Sequence, residues 1–378
     1  MSAPAKSRKR GPLPWLVREE WFLGISLVSS VICLCFGHAM MGGLSNPIVL
    51  ILILVWLFSV VLGSIISVVR HADHLAISLG EPYGTLILTL AVTIIEVISI
   101  STMMLHGGSN PTLVRDTLFS VIMIILNGMV GLSLLLGGWR HREQQFNLQG
   151  ANAYLSVIIP LAVLSLILPN YTVTTEGPTL SSVQEVFLAV MSVGLYGIFL
   201  LIQTNRHKMY FVFGETAEMK HKPVHAKSRP LPAHVTLLLA YMLPLVFLTE
   251  QLAQPIDYLV EVAHAPAALG GAIIAMMVAT PEAVGAVQAA RANQLQRSVN
   301  IFLGSVLATI GLTVPTMLVI SHITGKRLIL GVEHSDLILL PLTLAVSIVT
   351  FASGRTNILQ GAVHTLLFVA YLVLLFEG

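Results

Sequence analysis

The stretch Gly84-Thr-Leu-Ile-Leu-Thr-Leu-Ala-Val-Thr-Ile-Ile-Glu96 and its counterpart Gly270-Gly-Ala-Ile-Ile-Ala-Met-Met-Val-Ala-Thr-Pro-Glu282 decide the fold of this chain. Each is a very apolar run that carries one glutamate, twelve residues after a glycine. A carboxylate at bilayer depth costs about 2.5–3.5 kcal/mol or more, and its usual purpose is a cation or proton pathway. The matched positions indicate that the chain consists of two halves of one design.

The composition is typical of an integral membrane protein. Of the 378 residues, 55% are hydrophobic and only 10% are charged, with a mean hydropathy of +0.86. We therefore predict an all-α polytopic membrane protein, with the bilayer as its surroundings. Nucleic-acid binding is not expected, because most lysines and arginines are scattered over short loops.

Apolar windows predict about 11 transmembrane helices. The predicted spans are 21–41, 47–69, 82–105, 116–138, 151–169, 182–203, 235–254, 263–289, 300–323, 335–352 and 357–376. Loop charge predicts their orientation. With the N-terminus in the cytoplasm, seventeen of the 20 lysines and arginines fall on the cytoplasmic side. This asymmetry favours an N-in, C-out protein, which we place in a bacterial inner membrane.

Glu96 and Glu282 lie in the third and eighth spans, so their helices are predicted to run in opposite directions. That relation predicts one leading helix followed by two inverted five-helix repeats, with a transport site near the membrane midplane. The expected segments are a basic N-terminus with the leading helix (1–46), a first repeat (47–203), a cytoplasmic linker of unassigned role (204–234) and a second repeat (235–378).

Several polar residues are candidates to join the glutamates. Thr93 lies one turn before Glu96, on a stripe with Thr85 and Thr89. Thr280 adds an oxygen beside Glu282. Pro281 cannot donate to the carbonyl of Met277, which either helps to bind a cation or marks a kink in the helix.

The spans that follow each glutamate repeat this theme. The candidates there are Asp116, Ser120 and Asn127 in the fourth span, and Asn300, Ser305, Thr309, Thr313 and Thr316 in the ninth. Each set is a candidate to flank the glutamate of its own half. The alternative for each residue is an ordinary hydrogen bond between helices.

The candidate ligands are all oxygens, which suit the hard cations Ca²⁺, Na⁺ and K⁺. Glu96 and Glu282 match Ca²⁺ by charge, and they also match two protons. Burial favours the protonated carboxyl and a bound cation favours the carboxylate, so each species expels the other. That competition is the minimal chemistry of antiport. No cofactor is expected, and the transported ions would be Ca²⁺, Na⁺, K⁺ and H⁺.

Two further motifs lie at predicted cytoplasmic ends. Arg70-His71-Ala72-Asp73-His74 has the residue types of a metal site, but we interpret it as a helix end that anchors orientation. Glu81-Pro82 begins the next helix, and Glu81 is a candidate cytoplasmic relay for cations or protons. The sequence has no G-x-S-x-G elbow and no P-loop, so neither hydrolase chemistry nor ATP-driven transport is indicated.

Taken together, these motifs resemble the bacterial ChaA-type antiporters of the cation/Ca²⁺ exchanger superfamily, from about residue 60 to the end. The segments that carry the resemblance are Arg70 to Ala76, Leu79 to Glu96, Arg115 to Leu118, Thr280 to Glu282, Asn300 to Thr309 and Gly354 to Asn357, with Gly361 and His364.

The resemblance implies two inverted repeats with an acidic residue in each signature helix, here Glu96 and Glu282. It implies proton-driven export of Ca²⁺ and, in this type, of Na⁺ and K⁺. Calcium/proton exchangers typically carry Gly-Asn just ahead of the glutamate, whereas this chain has Thr93-Ile94 and Ala279-Thr280. The alternatives are a Na⁺/Ca²⁺ exchanger and a cation channel. The predicted spans contain only two carboxylates at depth, and this small number favours protons over sodium as the coupling ion.

Overall fold

The computed structural model describes residues 20–79, 83–106, 110–212 and 231–377, with side chains at all of these positions except 73, 76–79, 83–90 and 106. Within these ranges, nine helical stretches are long and apolar enough to cross a membrane. Two shorter apolar helices, Ala91–Leu105 and Asp336–Phe351, accompany them. The predicted fold class, an all-α polytopic membrane protein with about 11 spans, is confirmed.

Among the described residues, seven α-helices precede the linker. They are α1 (Trp21–Met41), α2 (Pro47–Leu79), α3 (Tyr83–His106), α4 (Leu113–Met123), α5 (Val130–His141), α6 (Leu148–Ala162) and α7 (Ser182–Leu201). A π-helical segment, Ile124–Met129, joins α4 to α5, so that the two form one crossing. Further π segments extend α6 (Val163–Ile167) and α7 (Ile202–Arg206), and short 3₁₀ turns follow at Leu168–Asn170 and Lys208–Phe211.

Residues 231–377 form six more α-helices. They are α8 (Leu231–Glu261), α9 (Ala268–Arg291), α10 (Leu295–Ala308), α11 (Val314–Thr324), α12 (Asp336–Phe351) and α13 (Ile358–Glu377). The π segment Thr309–Thr313 joins α10 to α11 into one crossing. Two short strands, β1 (Glu143–Gln145) and β2 (Arg355–Asn357), pair antiparallel with Gln144 opposite Thr356.

Local sequence explains several helix ends. Ser181 and Gln184 form a capping box at the start of α7, in which each side chain satisfies a backbone N–H of the other residue. The Asn147 side chain accepts from the backbone N–H of Gln149 at the start of α6. Gly325, with a φ of 68°, adopts the left-handed conformation that ends α11.

The distribution of residue types between the buried and the outward side of α1 is the reverse of that in a helix of a soluble protein. Its buried residues are small or polar, namely Ser26, Ser29, Ser30, Cys33 and Gly37. Its large apolar side chains point outward, among them Leu27, Val31, Leu34 and Phe36. Small residues let membrane helices approach closely, while lipid solvates the large side chains. The same outward apolar surface on the other helices is what a bilayer requires.

Contacts between loops show which helix ends share a side of the membrane. On one side, Arg70 in the last third of α2 donates to Glu20 before α1 at 2.7 Å, and His141 at the end of α5 contacts the Arg291 carbonyl at the end of α9 at 3.0 Å. The β1–β2 pair lies on this side as well. We call this side the basic face.

The remaining helix ends meet on the opposite face. There, Arg115 at the start of α4 donates to Glu333 before α12 at 2.8 Å, and Lys326 after α11 contacts the Met104 carbonyl at the end of α3. This sorting of ends agrees with eleven crossings. Since α3 ends on the opposite face and α9 ends on the basic face, the helices that carry Glu96 and Glu282 run in opposite directions.

Helix α9 crosses α4 at very close range. A Cβ atom added at Gly271 would lie 2.6 Å from the carbonyl carbon of Asp116 and from the backbone nitrogen of Thr117. Only glycine permits that approach. The crossing therefore fixes the helix that carries Glu282 against the fourth span.

Candidate functional site

Glu96 lies on α3 with only 1% of its surface exposed, in a bundle interior lined by apolar side chains. Its Oε2 accepts a hydrogen bond of 2.8 Å from the Thr309 hydroxyl, which belongs to the π segment after α10. Thr309 comes from the opposite half of the chain. A buried carboxylate of the first half is thus held by a hydroxyl of the second half.

Glu282 lies half-buried on α9. Its Oε2 accepts a hydrogen bond from the hydroxyl of Ser305 on α10. The helix around it is uninterrupted from Ala268 to Arg291, although Pro281 lies inside it. The Met277 residue whose carbonyl Pro281 cannot satisfy is fully buried in protein, as an unpaired carbonyl at membrane depth must be.

Helix α10 brings the two glutamates together. Ser305 and Thr309 are four residues apart, so their side chains lie one above the other, with Cβ atoms about 5–6 Å apart. Each holds one of the glutamates. Glu282 is close enough to Glu96 for the two carboxylates to interact electrostatically. The two acids, one from each oppositely directed helix, therefore meet in one pocket.

The pocket contains oxygen atoms that the protein does not satisfy. Among the described residues, Glu96 Oε1 and the hydroxyls of Ser99 and Thr313 are buried and have no hydrogen-bond partner. Ser99 lies one turn beyond Glu96 on α3, and Thr313 lies near the same carboxylate. Buried polar atoms normally find a partner. Oxygens of this kind around a carboxylate suit a small cation or a proton as the missing partner.

A local helix distortion positions the threonines. Pro315 lies at the start of α11; it has no N–H, and its ring crowds the carbonyl of the residue four positions earlier, Gly311. Gly311 lies inside the π segment Thr309–Thr313, whose wider turn accommodates this conflict. π segments of this kind occur frequently at functional sites. Here the segment contains both threonines that face Glu96.

Thr93 and Thr280, the other two residues predicted beside the glutamates, lie in the same two helices as the acids. Thr93 is buried one turn before Glu96. The Thr280 hydroxyl donates to its own helix at the Met276 carbonyl, 2.6 Å away, which is the usual arrangement for a membrane threonine.

In the structure, the hydrogen bonds of Asn127 and Asn300 go to residues other than the two carboxylates. Asn127 is fully buried; it donates to the Thr343 hydroxyl at 2.8 Å, and its Oδ1 lies 3.3 Å from Nδ1 of His364. Its contacts thus lead to α12 and α13. Asn300 donates to the Phe211 carbonyl at 2.8 Å, next to the linker.

Two other polar residues of α4 also have partners elsewhere. Asp116 accepts from Arg115 at 2.7 Å and from Thr112 at 2.8 Å, and Ser120 contacts the Tyr371 hydroxyl at 2.8 Å. Ser120, like Asn127, is therefore directed towards the C-terminal helices, whereas Asp116 is held at the start of its own helix. Of the two faces expected to flank a glutamate, that of the ninth span contacts both acids.

Two further acidic residues, Glu81 and Glu250, differ in whether the structure describes them. Glu81 lies outside the described residues, as do the side chains of Thr85 and Thr89. Glu250, by contrast, lies half-buried within the candidate span Leu231–Glu261. The count of two carboxylates deep in the spans was therefore wrong, because Glu250 falls inside the seventh predicted span. It lies on α8, and its position in Thr249-Glu250-Gln251 is visible in the sequence.

Substitution of Thr309 by valine is expected to weaken cation binding. A hydrogen bond to a charged group is worth about 1.5–3 kcal/mol, so the KM for the cation should rise about tenfold or more. The matched control is Thr316→Val on α11, which removes a hydroxyl bonded only to the Leu312 carbonyl of its own helix at 2.7 Å. Equal KM values for the two variants would show that Thr309 has no role in cation binding.

The fold and the site define a class of protein. A multi-pass helical membrane protein that carries two acids inside its helical bundle, on oppositely directed helices and beside hydroxyl groups, has the architecture of a secondary transporter. Residues 48–205 and 233–377 match the family described as sodium/calcium exchanger protein. This chain belongs to that family.

Relatives with higher identity are bacterial transport proteins. The chain is 43% identical over 313 residues to the putative ionic transporter y4hA of Sinorhizobium fredii, a match that covers 82% of this chain and 85% of the relative. It is 40% identical over 333 residues to the sodium-potassium/proton antiporter ChaA of Escherichia coli, covering 87% and 90%. The resemblance to ChaA-type antiporters is confirmed.

A solved structure shares the fold. The crystal structure of selenium-substituted YfkE, a Ca²⁺/H⁺ antiporter, matches with a TM-score of 0.69 at 17% identity. The match covers 95% of this chain and 100% of that one. At this low identity, the likeness concerns the architecture of the helices.

Proposed function

We propose that this protein is a secondary cation/proton antiporter that exports Na⁺ and K⁺, Ca²⁺, or all three in exchange for protons. The observation that carries the proposal is the meeting of Glu96 and Glu282 beside the hydroxyls of Ser305 and Thr309. We assign no catalytic residues, and the relatives are transport proteins.

The pocket supports exchange through competition for the same two carboxylates. When both are ionised, they balance the charge of one divalent cation or of two monovalent cations. When the cation leaves, the two adjacent carboxylates repel each other in surroundings that hold little water, and both effects favour proton uptake. Binding of either species therefore displaces the other, and a site open to one side at a time couples their movements.

The choice of cation follows from the ligands. The hydroxyls of Thr309 and Thr313 lie beside Glu96, and Ser99 lies one turn further along α3. Hydroxyls are neutral and bind cations more weakly than carboxylates. A site with two carboxylates and several hydroxyls can accept Na⁺ and K⁺ as well as Ca²⁺. The name of the Escherichia coli relative, a sodium-potassium/proton antiporter, agrees with the monovalent ions.

We infer that the two acids belong to two inverted repeats, 47–203 and 235–378, that follow a leading segment, 1–46, and are joined by the linker 204–234. The opposite directions of α3 and α9 support this division. Thr93, Thr280, Asn127 and Asn300 remain proposed site residues, with Asn127 and Asn300 acting through helix packing. Glu81 remains a proposed relay on the cytoplasmic side.

We further propose that the basic face is cytoplasmic in a bacterial inner membrane, because lysine and arginine concentrate there. In a variant without Cys33 and Cys35, a cysteine at Arg291 should react with a membrane-impermeant maleimide only in inside-out vesicles. A cysteine at Arg327, which is exposed on the opposite face, should react only in right-side-out vesicles. The reverse pattern would show the opposite orientation.

Everted vesicles provide the test of function. With a respiration-driven pH gradient in place, addition of Na⁺, K⁺ or Ca²⁺ should partly collapse the gradient in vesicles that contain the protein and not in vesicles that lack it. A Na⁺/Ca²⁺ exchanger would instead move Ca²⁺ against a Na⁺ gradient without any proton flux. A channel would dissipate a single cation gradient with no exchange partner, and either result would refute proton antiport.

A further inference from the structure

A second group of titratable side chains lies buried on the basic face, away from Glu96 and Glu282. Three donors converge on Glu20 Oε2, namely Arg70 at 2.7 Å, the Tyr241 hydroxyl at 3.1 Å and His71 Nε2 at 3.3 Å. On its other side, His71 contacts His234, with 3.1 Å between their Nδ1 atoms. We call these five residues the histidine cluster.

The cluster joins three separate parts of the chain. Glu20 precedes α1, and Arg70 and His71 lie in the last third of α2. His234 and Tyr241 lie in the first three turns of α8. Glu20, His71 and His234 are at most 5% exposed. Among the described residues, the other groups that face the cluster are His74, whose ring lies 4.8 Å from that of His234, and Ser67 beside Tyr241.

The hydrogen bonds limit how many protons the cluster can hold. A carboxylate only accepts, so His71 must donate to Glu20 from Nε2. When both rings are neutral, His71 Nδ1 is therefore an acceptor and His234 Nδ1 donates to it. One added proton is compatible with the contact on either ring, because one Nδ1 still donates and the other still accepts.

A second proton is not compatible with the contact. If both rings are imidazolium ions, both Nδ1 atoms carry hydrogen and two N–H groups face each other across 3.1 Å. The like charges repel in surroundings that exclude water, with Arg70 adding a further positive charge. The rings must then separate, and because both are buried where α8 packs against α2, their separation loosens that packing.

We propose that the histidine cluster is a second proton-binding site, which responds to acid on the basic face by releasing α8 from α2 and slowing transport. The proposal rests on the proposed antiport function for its effect on rate, but not for the release itself. An antiporter that admits protons in exchange for cations would in this way be slowed as protons accumulate on the side where they arrive.

The test compares the wild type with His234→Asn. The asparagine amide can place either a donor or an acceptor where Nδ1 was, so it can contact His71 in every protonation state without titrating. Hydrogen–deuterium exchange of residues 231–241 is followed in detergent without a cation gradient, corrected for the intrinsic pH dependence of exchange. Between about pH 7 and pH 4, a range that extends below that of a free histidine because the two charged rings repel each other, the wild type should lose protection and His234→Asn should keep it.

Transport provides a second measurement. Relative to its own rate at alkaline pH, His234→Asn should exchange cations about fivefold faster than the wild type at the acidic end, when only the basic face is acidified. His322→Asn, a change at an exposed histidine on the opposite face, should follow the wild type. If His234→Asn does not fold, His71→Gln takes its place, since it keeps a donor for Glu20 and removes one titrating ring.

The two measurements separate the two proposals. Wild-type vesicles without any exchange would refute the antiport function, while the loss of protection in acid would still support the histidine cluster as a proton-binding site. The same pH dependence of protection in the wild type and in His234→Asn, or in His71→Gln, would overturn the proposal.

Discussion

Replacement of Glu96 by glutamine is expected to abolish cation/proton exchange. Glutamine keeps the size of the side chain and can still accept from Thr309, so the bundle should remain folded. It cannot carry the negative charge that a cation needs, and it does not titrate. We therefore expect exchange in everted vesicles to fall by about a hundredfold or more, a loss comparable with removal of an essential proton-transfer group.

Glu282→Gln should have the same effect, because the two carboxylates form one site. The matched control is Glu143→Gln, which makes the same chemical change at an exposed position of β1 on the basic face. It should exchange cations at the wild-type rate. Full activity of both Glu96→Gln and Glu282→Gln, at unchanged protein levels, would contradict the mechanism.

Gly271→Val is expected to have the largest effect on folding. The valine Cβ would lie 2.6 Å from backbone atoms of Asp116 and Thr117, which cannot move aside as a flexible side chain would. Overpacking costs about 1–3 kcal/mol when side chains can adjust, and a clash with backbone should cost at least as much. The expected result is a Tm in detergent lower by about 5 °C or more.

The control for this change is Gly194→Val on α7, where an added Cβ meets no atom of the described residues within 4 Å. It should melt close to the wild type. Because α9 also carries Glu282, any Gly271→Val protein that reaches the membrane should show impaired exchange. Equal stability of the two variants would show that the crossing of α9 and α4 is looser than the structure indicates.

The helices and the two acids were accessible from the sequence for a physical reason. A bilayer requires long apolar helices, so hydropathy locates them, and the observed bounds lie within a few residues of most predicted spans. Carboxylates are so costly at this depth that Glu96 and Glu282 stand out. Glu250 was missed because it lies close to the end of the predicted span 235–254, between the polar residues Thr249 and Gln251, although α8 itself continues to Glu261.

The partners of each polar face could not be predicted in the same way. Helical periodicity places Ser305 and Thr309 on one face, but it does not say which helix that face meets. Thr309 was expected beside the acid of its own half, and it contacts Glu96 of the other half. Asn127 likewise faces His364 and Thr343, a result of how α12 and α13 pack.

The contacts of the histidine cluster could not be predicted from the sequence either. The segment Arg70 to His74 indicated only a helix end that anchors orientation. Its partners Glu20 and His234 are distant in sequence, and no short-range pattern connects them. Only the packing of α8 against α2 brings the two histidine rings into contact.

Proton release on cation binding tests the central claim most directly. Purified protein in weakly buffered detergent solution, near neutral pH, is titrated with Na⁺, K⁺ or Ca²⁺ while a pH indicator is followed. The account predicts that cation binding releases protons from the wild type, up to two for each Ca²⁺ bound, and none from the Glu96→Gln, Glu282→Gln double variant. Cation binding to the wild type without proton release, or equal release from the double variant, would contradict it.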